Sequence, residues 1–287
     1  MTIREIVKQG FHYAVTFRSL WLFGFFVGLA SGGSNGGGGA GNGTGASVGI
    51  GGMSVGGALP TLSVTEIAAV AVAIFIAVAV FAVLRLIGEG ALIEGVVRAR
   101  QGSTMTMREG FSAGFAHWGV LLRIALLYLA ATIGSVALVV APCVIALQTL
   151  GARATILLGI PALIIVVPWL VTLYLVQAFA FRIAVLENRK ALDAIDKARL
   201  FLHGRLLHGL RLIVAAFVGS LGIALLGAVT LLPVALLLVA LIPVLRIFPV
   251  IVLGCLVLLP LIYVLTAILG TFRSSVWTIG YVTQVES

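Results

Sequence analysis

Five apolar stretches, residues 64–84, 120–147, 156–180, 212–244 and 248–269, each reach or exceed the ~20 residues that an α-helix needs to cross a bilayer. They restrict the chain to very few folds. Without water in the hydrocarbon, each backbone N–H and C=O must be satisfied within the segment, so runs of this length become membrane helices. A soluble alternative fails on charge, because charged residues make up 9% of the 287 and hydrophobic residues 61%, against about 25% charged in a soluble domain. Glu66 and Arg123 lie near one end of their runs, where a side chain still reaches the interface. A shorter run, residues 20–30, follows Arg18. It has features of a secretory signal peptide, but the stretch before it is long, contains Glu5 and is itself amphipathic, so a retained first helix is expected.

The cations set the expected orientation. Of the 18 Lys and Arg residues, 16 fall on one side of the predicted membrane: in the first 18 positions, between Arg85 and Arg123, between Arg182 and Arg211, and at Arg273. Arg153 and Arg246 fall on the other side. The positive-inside rule then places both termini in the cytoplasm, with six spans. On this reading the net charge of +9 is a topology signal and an attraction to anionic membrane lipids. It does not indicate a nucleic-acid partner, because the cations flank membrane segments instead of lining a groove.

With that topology the uncharged, Gly-rich segment 31–63 is the first external loop. A phosphate-binding loop would need Lys followed by Ser or Thr after its glycines, and no Lys occurs between Lys8 and Lys190. A dinucleotide fingerprint would need a preceding strand, whereas here a membrane helix precedes the glycines. The first half of the loop reads as a flexible connection. Its second half carries apolar anchors, of which Met53, Val55 and Leu59 are candidate contacts for a protein partner.

Helical periodicity recurs on the cytoplasmic side. Ile3, Ile6, Val7, Phe11, Ala14 and Phe17 form one stripe, Met107, Phe111, Phe115 and Trp118 a second, and Leu192, Ile195, Leu202 and Leu206 a third. Each suits a helix lying in the interface with its apolar face toward the lipid. "REIVKQGFHYAVTFR" from Arg4 and "REGFSAGFAHWGVLLR" from Arg108 share Arg-Glu, a Gly-Phe at the same interval, a His beside an aromatic and a closing Arg, with a one-residue slip. The chain is therefore expected to be a single membrane domain, residues 1–287, containing an internal pseudo-repeat over 1–103, 104–186 and 187–287. The expected fold is an all-α integral membrane protein with six transmembrane helices in three hairpins, each preceded by an amphipathic cytoplasmic helix. Prolines within four of the six spans predict bent helices. Cys143 and Cys255, in apolar runs, read as small buried hydrophobes.

Polar groups in or beside the spans are the best pointers to function, since a charge in hydrocarbon is costly unless paired. In "RLIGEGALIEGVVRAR", Arg85 and Glu89 are four apart, as are Glu94 and Arg98, so each pair shares a helical face. Arg123 and Arg182 are additional partners for Glu89 and Glu187. Gly88, Gly90 and Gly95 would let a neighbouring helix approach closely. Read structurally, the paired charges close the cytoplasmic end of a bundle; read functionally, Glu89 lies on a cation or proton path. No sequence motif supports catalysis: a His-Glu-x-x-His motif, a Gly-x-Ser-x-Gly elbow and a Cys with a nearby base are all missing. His203 and His208 are five apart, a poor spacing for a shared metal on one helix face. No metal and no cofactor is expected.

"FRSLWLFGFF", "GEGALIEGVVRARQG" and "FAFRIAVLENRKALDAIDKARLFLHGR" together resemble bacterial six-span membrane proteins of unknown function, including the membrane domain attached to some glycerophosphoryl diester phosphodiesterases. The resemblance implies residence in the bacterial cytoplasmic membrane. It carries over no hydrolase activity, because the soluble catalytic domain has no counterpart in this chain. The expectation is a non-catalytic membrane protein that organises lipid or serves as a subunit of a larger complex. The alternative is a transporter or channel using Glu89 and the proline-kinked helices.

Overall fold

The computed structural model describes residues 3–32, 64–103, 105–149, 151–204, 206–245 and 247–285, and among these every regular element is helical. They are α1 (Ile3–Thr16), α2 (Trp21–Gly32), α3 (Val64–Arg100), α4 (Met107–Thr149), α5 (Ala152–Leu186), α6 (Ala191–Leu202), α7 (Leu206–Leu245) and α8 (Ile247–Val285), with one 3₁₀ turn between α1 and α2. Five of them contain stretches long and apolar enough to span a membrane. The described part of α2 has 12 residues, about 18 Å at 1.5 Å per residue. That alone is shorter than a span, and the sequence that follows it lies outside the described residues.

The long helices exceed a bilayer. α4 has 43 residues, about 64 Å, against a hydrocarbon thickness of ~30 Å. Their two ends differ sharply in packing. The buried core is drawn from the charged ends of the helices: residues 86–99 of α3, 121–128 of α4, 175–185 of α5 and 267–281 of α8, together with α1, α2 and α6. At the opposite end of α3, residues 68–80 are exposed on every face, and all are apolar. A helix apolar and exposed all round needs lipid around it. The membrane is thus the solvent for one end of the molecule, while protein packing holds the other.

α8 is the centre of the packed end, contacted by α1, α2, α3, α5 and α7. Its most extensive partner is α2, through small residues. Gly24 and Gly28, four apart on α2, face Ala267, Thr271 and Thr266 of α8, and Gly270 returns the contact on the backbone of Gly24. A Cβ at any of the three glycines would collide with backbone atoms. This is small-residue packing of the kind that draws membrane helices together through close backbone approach. α3 and α4 cross in the same way, with Gly90 against Gly114.

The three amphipathic segments do not share one fate. The first is α1, whose apolar face lies outward only in part: Ile6 and Ala14 are buried and Gly10 sits against Val276 of α8, while Phe11 stays exposed. The third is α6, where Ala191, Ala194, Ile195, Ala198 and Leu202 are buried beneath the helix. The second is no separate helix. It forms the first turns of the continuous α4, because a capping box starts the helix at Thr106 and no breaker follows. Glu109 Oε2 accepts from the Thr106 N–H at 2.9 Å while Thr106 Oγ1 accepts from the Glu109 N–H at 3.4 Å. One other expectation also changes. Cys143 is half-buried and Cys255 exposed, and both are free thiols, so neither is a core side chain. The prolines of α4, α5, α7 and α8 sit inside helices that continue through them.

Candidate functional site

α3 carries Glu89 between two glycines, and the absence of side chains on both sides lets two helices close around it. Gly88 lies against the backbone of Phe23 in α2, and Gly90 against Gly114 in α4. Glu89 is thereby presented to α5 near the end of its span, where Arg182 projects inward. Arg182 Nη2 donates to Glu89 Oε1 at 3.2 Å, and Arg182 Nη1 donates to the Ala178 carbonyl at 2.5 Å. Arg182 is 3% exposed and Glu89 15% exposed, so a buried guanidinium meets a part-buried carboxylate and joins α3 to α5.

Its surroundings are aromatic. The Arg182 guanidinium lies 5.7 Å from the ring centre of Trp277, within cation–π range. Trp277 stands edge-on to Phe179 at 5.7 Å and to Tyr174 at 6.0 Å. Tyr174 accepts a 2.6 Å hydrogen bond from Arg273 Nη2 on α8. Arg182 Nε and the hydroxyls of Ser274 and Ser275 are buried without a hydrogen-bond partner among the described residues.

A second polar centre closes the end of α5. Asn188, at φ 49°, turns the chain out of the helix in the left-handed conformation that Asn tolerates. That turn brings Glu187 over α6 and α8. Its carboxylate accepts from Lys197 at 2.6 and 2.8 Å, from Arg189 at 2.9 Å and from the Tyr281 hydroxyl at 2.9 Å. Burial pushes the Glu187 carboxyl up, but the hydrogen bonds from Lys197, Tyr281 and Arg189 outweigh it and hold the group below the usual carboxylate range. Beneath it Phe179, Phe201 and Tyr281 form a mutual cluster with ring centres 5.3 to 6.2 Å apart.

The six polar residues expected to act together do not form one cluster. Glu94 and Arg98 bond across one turn at 2.5 Å, and Arg98 also lies 3.9 Å from Glu109. Arg85 is exposed and does not take Glu89, which turns to Arg182 instead. Spacing of four residues permits that pair, but Arg85 faces outward where α3 enters its exposed half. Arg123 is likewise exposed and approaches neither Glu89 nor Glu187. Met53, Val55 and Leu59 lie outside the described residues. Sequence reasoning named Glu187 but not its donors, and it missed the aromatic cluster, although Trp277 and Tyr281, four apart on one face, were a readable signal. It also missed the Gly24-x-x-x-Gly28 spacing.

The arrangement is suited to holding helices together. Two surface grooves, about 410 Å³ along Glu5, Lys8, Gln9 and His12 and about 340 Å³ between α7 and α8 around Leu232 and Leu258, do not reach Glu89 or Arg182. Among the described residues no three His, Cys, Asp or Glu side chains gather as metal ligands. No family model matches the chain, and comparison with curated proteins and with solved structures gives no match either.

Proposed function

We propose that this chain is a non-catalytic polytopic membrane protein that organises lipid or serves as an accessory subunit of a larger membrane complex. The observation that carries the reading is the Glu89–Arg182 pair. A transport path through Glu89 would need a hydrated cavity, whereas Glu89 is locked to a buried guanidinium between two glycine crossings. The exposed apolar halves of the long helices support the same reading, since they offer their surface to lipid or to partner helices. In this account the apolar segment that contains α2 is the sixth span, the helices form three hairpins, and both termini face the cytoplasm of a bacterial cell. The soft resemblance to six-span modules fits that role and brings no hydrolysis with it.

A transporter or channel is the competing reading, favoured by prolines inside four long helices. Mass spectrometry of the protein extracted in native lipid separates the two. A stoichiometric protein partner, or enrichment of anionic lipid on the isolated chain, is the expected result. A retained water-soluble solute, with neither partner nor selected lipid, would overturn the module reading.

A further inference from the structure

The second amphipathic segment leaves most of its stripe outside. In α1 and α6 part of the stripe is taken up by packing, Phe11 and Leu192 staying exposed, and at the start of α4 the face beside the stripe is the one that packs. Gly110 and Gly114 are buried there, Gly110 against Phe23 and Met105 and Gly114 against Ile87. Two glycines one turn apart let α2 and α3 come closer than the bulky stripe would allow, so they decide which face turns in. Met107 and Phe115 are left 52% and 63% exposed, with Trp118 stacked on Phe115 at 6.1 Å, while Phe111, 39% exposed, also meets the buried Phe23 ring edge-on at 5.1 Å.

We infer that this stripe seats the first three turns of α4 in the headgroup layer of an anionic membrane. Continuity supports lipid as the occupant. The same face continues at steps of three and four residues through Leu122, Leu126, Leu129 and Ile133, deep in the apolar span, with the last three about half exposed. A surface that merges into the lipid-facing wall of a membrane helix, with Trp at the border, has the composition of an interfacial belt. Geometry allows it as well. The apolar run 120–147 is about 42 Å long as a helix, so fitting ~30 Å of hydrocarbon requires a tilt of about 45°, which lowers the preceding turns toward the membrane plane.

Charge selects anionic headgroups. Arg108, within the stripe's first turn, and Arg85 and Arg123, at the border of the apolar spans, are all exposed. The nearby acid, Glu109, is engaged by the Thr106 amide and lies 3.9 Å from Arg98. The inference deepens the lipid-organising reading and rests on it. Its test reads position and not transport, so a flux found through Glu89 would overturn the module reading and leave this one standing.

The test is spin-label accessibility in vesicles. Phe115→Cys would be introduced into a Cys143→Ser, Cys255→Ser background and labelled, with Gln101→Cys in the exposed turn after α3 as the aqueous reference. Met107→Cys reads the same surface if Phe115→Cys does not fold. The protein would be reconstituted in phosphatidylcholine and in equal parts phosphatidylcholine and phosphatidylglycerol. The expected result is a severalfold higher ratio of oxygen to aqueous-nickel collisions at position 115 than at 101, rising further in the anionic vesicles. A ratio equal to that at 101 would place the stripe in water, and low collision rates with both reagents would place it against protein. Either outcome overturns the inference, as does a ratio indifferent to lipid charge.

Discussion

Glu187 shows how one carboxylate can tie three helices. Its donors come from the turn after α5, from α6 and from α8, and all favour the ionised form. Because the folded-state carboxyl titrates below its unfolded value, the stabilisation is fully present above about pH 4.5 and is lost as pH falls through the lower, folded value. A melting curve in detergent should therefore drop with acidification below pH 4.5, and Glu187→Gln should flatten that drop while lowering stability at neutral pH. An unchanged acid profile would show that other carboxylates control it. Glu89 and Arg182 illustrate what a sequence leaves open at this scale. Both residues were visible as costly charges beside apolar runs, and Arg182 was one of the partners considered for Glu89, but they are 93 positions apart, and local spacing offered Arg85 as well. Only the rotation of α3, fixed by its glycines, decides which cation Glu89 meets.

At the scale of elements, backbone proximity does most of the fastening. Gly24→Leu or Gly270→Leu would place a side chain inside backbone of the facing helix, and each should cost several kcal/mol by separating α2 from α8. Gly222→Leu on α7, with open space around it, should cost little and serves as the matched control. Thermal unfolding in one detergent compares them directly. The α4 capping box is worth less, and Thr106→Ala should remove about 1 kcal/mol. The long helices were legible because an apolar run of twenty or more residues admits little else, and α1 and α6 were legible from their period. The packing face of the stripes was not. Periodicity shows that a helix has an apolar side, but whether that side meets lipid or protein depends on neighbours with no local signature, and in α4 two glycines outrank three large apolar residues.

Over the whole molecule, the packed end and the lipid-facing end divide the work. Helices long enough to cross a bilayer continue past it on one side, and those continuations, tied by α1 and α6, contain most of the core. The sequence shows this division as a shift from unbroken apolar runs to charged and glycine-containing stretches, without revealing that the second part would be the better packed. The central claim is that Glu89 and Arg182 form a dry structural fastening. Its most direct measurement compares Glu89→Gln with Glu89→Gln/Arg182→Met, following both unfolding in lipid and ion leakage from vesicles. The account predicts that Glu89→Gln, which leaves a buried guanidinium uncompensated, loses about 3–5 kcal/mol, that the double variant regains most of it, and that leakage changes in neither. A Glu89→Gln protein as stable as the parent that abolishes an ion flux the parent carries would contradict it.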